Sequence, residues 1–267
     1  MIQLDDKMLR KLQLTELELL REFDRICREN NIKYSLDGGT LLGAVRHQGF
    51  IPWDDDADVM MTRGEYEKFY RICQTELNKS KFFLQEFRTD TEYRWGYSKL
   101  RKNNTIFLRE GQEQIKCHTG VCIDIFIFDA VPDNCIHRRI HWAECFIIRK
   151  GLYSVVGQNK EHNTFFRMIY RLMSKLPRSF WVKWLTHLIN TSKDGQLVSH
   201  LTYPNRKEIR YGVSKSYYTN YVDIMFEGYK FSVLKDYDQY LRELFDDYME
   251  IPPESERKIH PVSKLKL

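Results

Sequence analysis

The run from Ser35 to Met61, SLDGGTLLGAVRHQGFIPWDDDADVMM, constrains what this chain can fold into more than any other stretch. Its first half predicts a short strand over residues 34–37, a turn at Gly38 and Gly39, and a helix with Thr40 in its first turn. Glycines let the backbone approach a ligand closely, and a helix N-terminus offers free N–H groups and a partial positive charge. The segment is therefore typical of a turn that binds phosphate, although a plain turn is the commoner use of a glycine pair.

The second half of the run predicts a strand over Ala57–Met61, entered through an acidic loop. Asp56 and Asp58 are two residues apart, so on a strand their carboxylates lie on one face and can share a divalent metal. Neighbouring carboxylates repel one another unless a cation lies between them, so the cluster favours a bound metal. Asp54 and Asp55 precede this pair, and a supporting role in the loop is the simpler interpretation for them.

A third aspartate, Asp124, interrupts the apolar run Ile123–Phe128. A lone carboxylate in a buried strand is costly unless it is paired, hydrogen-bonded or bound to metal. If this strand lies beside Ala57–Met61, Asp124 joins Asp56 and Asp58 in one site. We then expect all three to be metal ligands and catalytic residues, with Asp124, from a separate strand, as the best candidate to accept the proton of an incoming hydroxyl.

Basic residues near these acids are candidates for binding an anionic substrate. Arg46 and His47 follow the glycine turn, while Lys99 and Arg101 alternate on a strand-like segment and so share a face. Lysine or arginine there could clamp a diphosphate, although a surface role is equally favoured for Arg101.

Aromatic side chains also flank the acidic segments. Each could hold a quaternary ammonium group against its ring, but ordinary packing is the simpler interpretation for any one of them: Trp53, Tyr93, Trp95 and Tyr97. The sequence does not decide between a choline and a polyol headgroup.

Three segments resemble the LicD family, which includes bacterial phosphocholine transferases and the catalytic domains of fukutin-type proteins. They are LDGGTLLGAVRHQGFIPWDDDADVMMTRGEYEKF, HTGVCIDIFIFDAVPDN and FEGYKFSVLKDYDQYLRELFDDYMEIPPE. The resemblance implies an α+β fold of the nucleotidyltransferase, polymerase-beta-like type, a mixed sheet flanked by helices. It also implies Mg²⁺-dependent or Mn²⁺-dependent transfer of a phospho-alcohol group, with phosphocholine from CDP-choline as the leading case. The acceptor would be a hydroxyl of a cell-surface glycan, in a teichoic acid precursor or a lipopolysaccharide.

The resemblance also bears on individual residues. It favours a functional role for Lys99, and it includes an H-x-G turn at His118. The chain departs from the family in having Ala57 between the metal aspartates and in lacking a Pro-rich stretch after its FEG motif. The candidates for binding the donor are thus Gly38, Gly39, Thr40, Arg46, His47, Trp53 and Lys99.

Composition adds mild bounds. The net charge of +5 is too small to indicate a nucleic-acid partner but suits anionic donors, glycan polymers or the inner face of a membrane. No run approaches the roughly 20 apolar residues of a spanning helix, and the start MIQLDDKMLRKLQ has no signal-peptide pattern, so we expect a cytoplasmic protein. The six cysteines form no C-x-x-C pair; zinc at Cys117, His118 and Cys122 is a minor alternative.

The chain is expected to be a single catalytic domain, with a core of about 1–136 plus 201–267 and a helical insertion of about 137–200. Within the insertion, residues 163–189 predict a helical hairpin broken at Pro177. Packing on the core is slightly favoured. The alternative is a peripheral membrane contact beside a lipid-linked acceptor, with one basic face and tryptophans at the interface: Arg167, Arg171, Lys175, Trp181 and Trp184.

Three classes of function remain open at this level. The first is the phosphocholine-type transferase, with a polyol-phosphate transferase using another CDP donor as its close alternative. The second is a glycosyltransferase that uses Asp56 and Asp58 as a D-x-D motif on a nucleotide sugar, which Asp124 argues against. The third is a non-catalytic nucleotide-binding or scaffold protein on the same fold. It is disfavoured because carboxylates that repel one another cost stability and would not be expected in a site that has lost its activity.

Overall fold

A mixed β-sheet lies at the centre of the fold, with helices on its faces. The computed structural model describes residues 2, 4–191, 195–204, 211–257 and 260–267. The elements of the first half are α1 (Asp6–Glu29), β1 (Ser35–Leu36), α2 (Gly38–His47), β2 (Asp58–Thr62), α3 (Arg63–Glu76), β3 (Phe82–Gln85), β4 (Ser98–Lys102), β5 (Ile106–Arg109) and β6 (Cys122–Val131). Those of the second half are α4 (Cys135–Lys160), α5 (Thr164–Met173), α6 (Arg178–Thr191), β7 (Leu197–His200), β8 (Val213–Ser214), β9 (Tyr221–Phe226), β10 (Tyr229–Leu234), α7 (Tyr237–Phe245) and β11 (Val262–Lys266).

The sheet has the order β1-β2-β6-β4-β3. Strands β2 and β6 run parallel, and the other pairs in this sheet are antiparallel. The long strand β6 pairs with β4 through its first residues and with β7 through its last. Apolar residues fill both faces of β2, as expected for a strand in the interior of a sheet. The predicted α+β class with a mixed sheet and flanking helices is therefore confirmed.

Helix α1 packs across the sheet because its apolar residues recur every three or four positions. Leu12, Leu20 and Phe23 on this stripe are fully buried. The helix begins at the Asp5 cap, whose carboxylate accepts a hydrogen bond of 2.7 Å from the backbone N–H of Met8.

Helices α4, α5 and α6 lie between β6 and β7 in the chain. They form a second apolar cluster together with the end of β6, and Trp181 of α6 packs in it against Gly151 of α4. None of the helices in the described ranges is long and apolar enough to cross a membrane. The division into a core and an insertion at about 137–200 stays a prediction.

Helices α5 and α6 match the predicted break at Pro177. Trp181 is only 3% exposed, as the favoured interpretation of packing requires, and it is not interfacial as in the membrane alternative. The prediction for α5 is wrong in part: Met173 of its apolar stripe packs against the second cluster, but other members are turned outward, because Tyr170 provides the buried contact with α4. The exposed members of the stripe include Phe165 and Leu172, next to Phe166 and Met168.

Candidate active site

Three charged side chains form a row across neighbouring strands. Asp58 on β2 is the direct register partner of Asp124 on β6, and Asp124 is in turn the partner of Lys99 on β4. Register partners point to the same face of a sheet, so the pairing brings these side chains together. The sequence predicted one shared site only if the strands that carry Asp58 and Asp124 are neighbours. The structure meets this condition.

Lysine and arginine hold Asp124 in its ionised form. The Lys99 ammonium donates to Asp124 Oδ1, and both side chains are more than nine-tenths buried. Burial by itself would raise the pKa of Asp124, but the charges of Lys99 and Arg109 outweigh it and hold this pKa below its usual value. Asp124 is therefore an anion with a fixed partner.

On the β2 side Asp56 is paired with Arg109, but no lysine or arginine in the described part of the chain forms an ion pair with Asp58 or Asp54. Burial, followed by the charges of Asp56 and Asp124, raises the pKa of Asp58 well above its ordinary value. Burial and the charges of Asp56 and Asp55 likewise raise the pKa of Asp54 to about 8. This side of the site carries more negative charge than its neighbours neutralise.

The glycine turn lets helix α2 approach these carboxylates. Gly38 has a left-handed backbone with φ of 51°, and a β-carbon on Gly39 would lie 2.6 Å from Asp54 Oδ2, closer than van der Waals contact allows. Thr40, the next residue, accepts a hydrogen bond of 2.8 Å from the backbone N–H of Asp58 through its hydroxyl. In this structure all three residues position the acidic loop, and direct contact with a donor stays a prediction.

Arg109 is a site residue that the sequence analysis missed. Its guanidinium donates to Asp56 Oδ2 at 3.0 Å, and its charge also lowers the pKa of Asp124. It comes from β5, more than fifty residues after the acidic loop, and the alternating run IFLR was its only signal.

Two further acidic neighbours also escaped the sequence analysis. Asp37 caps α2 and accepts hydrogen bonds of 2.8 Å from Gly38 N–H and from the Tyr240 hydroxyl. Glu16 is fully buried on α1, and burial followed by the charge of Asp56 raises its pKa well above the ordinary value. Its signal was an acidic residue on the apolar stripe of α1.

Arg46 and His47 do not reach the row of charges. Arg46 donates from Nη1 to the backbone carbonyls of Tyr248 and Glu250 at 2.8 and 3.0 Å, so it ties α2 to the C-terminal segment. It also donates from Nε to His47 Nε2 at 3.0 Å.

A cavity of about 660 Å³ lies next to the acidic loop. Gly39, Arg46, Trp53 and Asp54 line one side of it, and the C-terminal segment lines the other. The Arg257 guanidinium lies 4.1 Å from the centre of the Trp53 ring, a cation–π contact in the wall of the cavity.

An aromatic wall continues from Asp124 along the same face of the sheet. The Tyr97 ring lies 5.0 Å from that of Phe126 and 5.2 Å from that of Tyr203, and His200 packs against all three. The Lys99 ammonium lies 4.9 Å from the centre of the Tyr97 ring. This wall thus gathers apolar surface and a buried cation beside Asp124.

The remaining candidates have other partners. Arg101 is buried and donates to the side chain of Gln85 and the carbonyl of Gly120, so it holds the turn before β6. His118 in that turn accepts from Gly120 N–H at 3.1 Å, and burial followed by the charge of Arg101 lowers its pKa to about 4. Tyr93 is fully buried, and its ring lies 5.5 Å from that of Trp95.

The carboxylate oxygens of the row suit a hard divalent cation. Mg²⁺ and Mn²⁺ prefer carboxylate ligands, and the excess of negative charge around Asp58 is the condition that such an ion would relieve. Among the described residues, three candidate ligand atoms lie within 4.8 Å of one another in a neighbouring group, Asp55, Asp56 and His260. The predicted set of Asp56, Asp58 and Asp124 does not form such a compact group there, so a cation in the row stays a prediction.

Comparison with known proteins identifies the type of domain. Residues 31–144 match the family model described as LicD/FKTN/FKRP, nucleotidyltransferase domain. The chain is 29% identical, over 96% of its length and 97% of the relative, to the lipopolysaccharide cholinephosphotransferase LicD of Haemophilus influenzae. It is also 34% identical to an uncharacterized protein of Rickettsia typhi, over 48% of this chain and 33% of that protein.

These matches confirm the resemblance to the LicD family, and with it the prediction of a LicD-type enzyme. The matched range includes the glycine turn, the acidic loop, Lys99 and Asp124. The aligned Haemophilus relative extends beyond that range through α4–α6 and the C-terminal segment.

Proposed function

We propose that this chain, which carries a LicD-type domain, transfers phosphocholine from CDP-choline to a hydroxyl of a cell-surface glycan, such as that of a lipopolysaccharide or a teichoic acid precursor. The observation that supports this most is the register row of Asp58, Asp124 and Lys99. It brings two carboxylates and one ammonium to a single face of the sheet, as the transfer of a charged phosphoryl group requires. We assign this domain to the nucleotidyltransferase, polymerase-beta-like fold type.

A divalent cation, Mg²⁺ or Mn²⁺, would be held by Asp56, Asp58 and Asp124. When bound it would supply positive charge against the donor diphosphate and the reacting phosphorus. Asp58 fits this role, because burial and the charges of Asp56 and Asp124 raise its pKa, as expected for a carboxylate without a counter-ion.

The basic side chains of the site have separate roles in this proposal. Lys99 keeps Asp124 ionised and lies at the end of the row, where it can bind a phosphate oxygen of the donor or the departing CMP. Arg109 orients Asp56. We keep Asp124 as the group that receives the hydroxyl proton, although its lowered pKa makes it a weaker base than an isolated carboxylate.

The two aromatic regions are the candidates for the choline group. A quaternary ammonium cannot donate a hydrogen bond and is held best over aromatic faces. Tyr97 and Tyr203 form such faces beside Asp124, while Arg257 already covers a face of Trp53. The cavity beside Trp53 is lined by Arg46 and Arg257 but also by four acidic residues, so its charge does not favour an anionic part of the donor: Asp54, Asp247, Glu250 and Glu256.

A donor panel tests this proposal. The purified chain is incubated with Mg²⁺ and mass-tagged CDP-choline, CDP-ribitol or a UDP-sugar, and the released nucleotide is measured. We expect CMP from CDP-choline. Release of CMP only from CDP-ribitol would favour a polyol-phosphate transferase, and release of UDP would favour a glycosyltransferase.

We further propose a peripheral membrane contact through α5, beside a lipid-linked acceptor at the inner face of the membrane. The support is the exposure of large apolar side chains on this helix, next to basic ones that suit anionic lipid. The apolar members are Phe165, Phe166, Met168 and Leu172.

Cosedimentation with anionic vesicles tests the membrane contact. Binding should weaken as salt rises, because the Debye length shrinks to about 8 Å at physiological ionic strength. Replacing Arg167, Arg171 and Lys175 by Gln should weaken binding by up to about two orders of magnitude, since each basic side chain contributes about 1 kcal/mol. Equal binding by the triple variant would show that α5 has another role.

A further inference from the structure

The outer side of the acidic loop carries a second group of ligand atoms. His260 Nδ1 lies 2.9 Å from Asp55 Oδ1 and 3.5 Å from Asp56 Oδ2. Two ligand atoms bound to one ion at about 2.1 Å are about 3 to 3.5 Å apart, so these separations match those of neighbouring ligands on a metal.

The backbone holds this group in place. His260 precedes β11, which pairs antiparallel with β5 so that Val262 is the register partner of Arg109. The backbone N–H of Glu110 also donates to the carbonyl of Pro261 at 2.9 Å. The same strand pair thus brings both Arg109 and His260 to one oxygen of Asp56, Oδ2, at 3.0 and 3.5 Å.

A hydrogen bond from the imidazole does not account for the buried charge here. Both carboxylate oxygens of Glu16 and Oδ2 of Asp55 are buried without a hydrogen-bond partner among the described residues. Glu16 and Asp55 are each 0% exposed, and burial followed by the charge of Asp56 raises the pKa of Glu16, so its carboxyl group lies near the loop although outside the group of Asp55, Asp56 and His260. One imidazole proton cannot satisfy three buried oxygens, whereas a divalent cation together with Arg109 balances the three negative charges of Asp55, Asp56 and Glu16.

We propose that Asp55, Asp56 and His260 bind a second divalent cation, separate from the ion of the Asp58–Asp124 row, with Glu16 as the buried carboxylate behind it. One imidazole nitrogen among carboxylate oxygens favours a transition ion such as Mn²⁺ or Zn²⁺ over Mg²⁺. Arg109 does not compete, because carboxylates that bind metals commonly accept hydrogen bonds as well. Such an ion fastens β11 to the acidic loop.

Counting bound Mn²⁺ tests this site without reference to turnover. The full chain is stripped of metal and titrated with Mn²⁺, and free Mn²⁺ is measured by electron paramagnetic resonance. Asp58→Asn removes a ligand of the row only, so this variant should still bind one Mn²⁺ that millimolar Mg²⁺ does not displace. Absence of any bound Mn²⁺ in Asp58→Asn would overturn the proposal, whatever the donor panel shows.

The variant His260→Gln separates ligation from hydrogen bonding. A glutamine amide can donate to Asp55 but is a poor metal ligand, so in the Asp58→Asn background it should weaken Mn²⁺ binding by at least about 100-fold. The exposed His187 provides the control, and His187→Ala in the same background should bind normally. Unchanged Mn²⁺ affinity in His260→Gln, with an unchanged melting temperature, would show that His260 only donates a hydrogen bond.

Glu16→Gln tests the buried carboxylate. The change removes a negative charge at nearly constant volume, so it should weaken Mn²⁺ binding at this site by at least about 10-fold. An unchanged affinity would remove Glu16 from the site.

Discussion

Asp58 and Asp124 are register partners on parallel strands, yet their neighbours shift the pKa values of the two carboxyl groups in opposite directions. On the β6 side, Lys99 and Arg109 hold the pKa of Asp124 below its usual value. On the β2 side, burial and neighbouring carboxylates push the pKa of Asp58 well above its usual value. The charge of Asp124 is balanced within the fold, and we propose that a bound cation balances the charge of Asp58.

The contrast between Asp58 and Asp124 suits the proposed metal site. A site neutralised by lysine and arginine throughout would have little affinity for a metal ion, and one made only of carboxylates would destabilise the fold. A site that combines both kinds of surroundings keeps an excess of negative charge on the β2 side, where a cation can bind. The Lys99 ammonium lies at the other end of the row. Four predictions test this difference.

The largest expected effect is on turnover. Asp58→Asn and Asp124→Asn should each lower phosphocholine transfer by at least about 100-fold, because each removes a metal ligand. Stability should separate them: Asp58→Asn relieves repulsion and leaves the free energy of unfolding equal or higher, while Asp124→Asn lowers it by leaving Lys99 buried and unpaired. Urea unfolding and product analysis measure the two quantities, with exposed Asp6→Asn as the control. Near-normal transfer by Asp124→Asn would remove it from the site.

The second largest effect is expected when the ion pair of Lys99 and Asp124 is broken. Lys99→Met leaves a buried carboxylate without its partner and should lower the free energy of unfolding by about 3–5 kcal/mol. Adding Asp124→Asn to this variant should recover part of the loss, because the orphaned charge is gone. If the two losses simply add in urea unfolding, the pair is not coupled and the contrast between the two sides fails.

Metal should stabilise the protein through the β2 side. Mg²⁺ at about 100 times its dissociation constant should raise the free energy of unfolding by about 2.7 kcal/mol, since it binds the folded state alone. Asp58→Asn should reduce this gain to near zero. Calorimetric melting curves at increasing Mg²⁺ measure the effect, and an equal gain in the variant would place the ion elsewhere.

The smallest effect concerns the aromatic wall beside Asp124. Burial lowers the pKa of His200 to about 3, below the ordinary value of 6.5. The unfolded chain therefore takes up a proton that the folded protein does not, and the unfolding free energy falls as pH drops from about 6.5 toward 3, by up to about 1.4 kcal/mol per unit. His200→Phe should flatten the slope between pH 6.5 and 5 by about 1 kcal/mol per unit in urea unfolding. An unchanged slope would mean that His200 is protonated in the folded state.

The sequence predicted the local part of the site well. The strand, glycine turn and helix of residues 34–47 follow from short-range preferences, and the alternation of Asp56 and Asp58 follows from strand geometry. The pairing of β2 with β6 could be stated only as a condition, because register depends on contacts between distant segments.

What the sequence could not predict came from far along the chain. Arg109 and His260 reach the acidic loop through the pairing of β5 with β11, which no local pattern indicates. Glu16 could have been found, because it lies four residues from both Leu12 and Leu20 on the buried stripe of α1. In α5 the helical period was evident, but the choice of buried face depends on α4, which the period does not reveal.

The most direct test of the account is the release of CMP from CDP-choline by metal-free protein before and after Mg²⁺ is restored, with wild type and Asp58→Asn measured side by side. We predict no release without metal, full release by wild type when Mg²⁺ is added, and at least about a 100-fold slower release by the variant. CMP release by metal-free wild type at the same rate as with Mg²⁺ would contradict the claim that the carboxylates of the β2 side act through a cation.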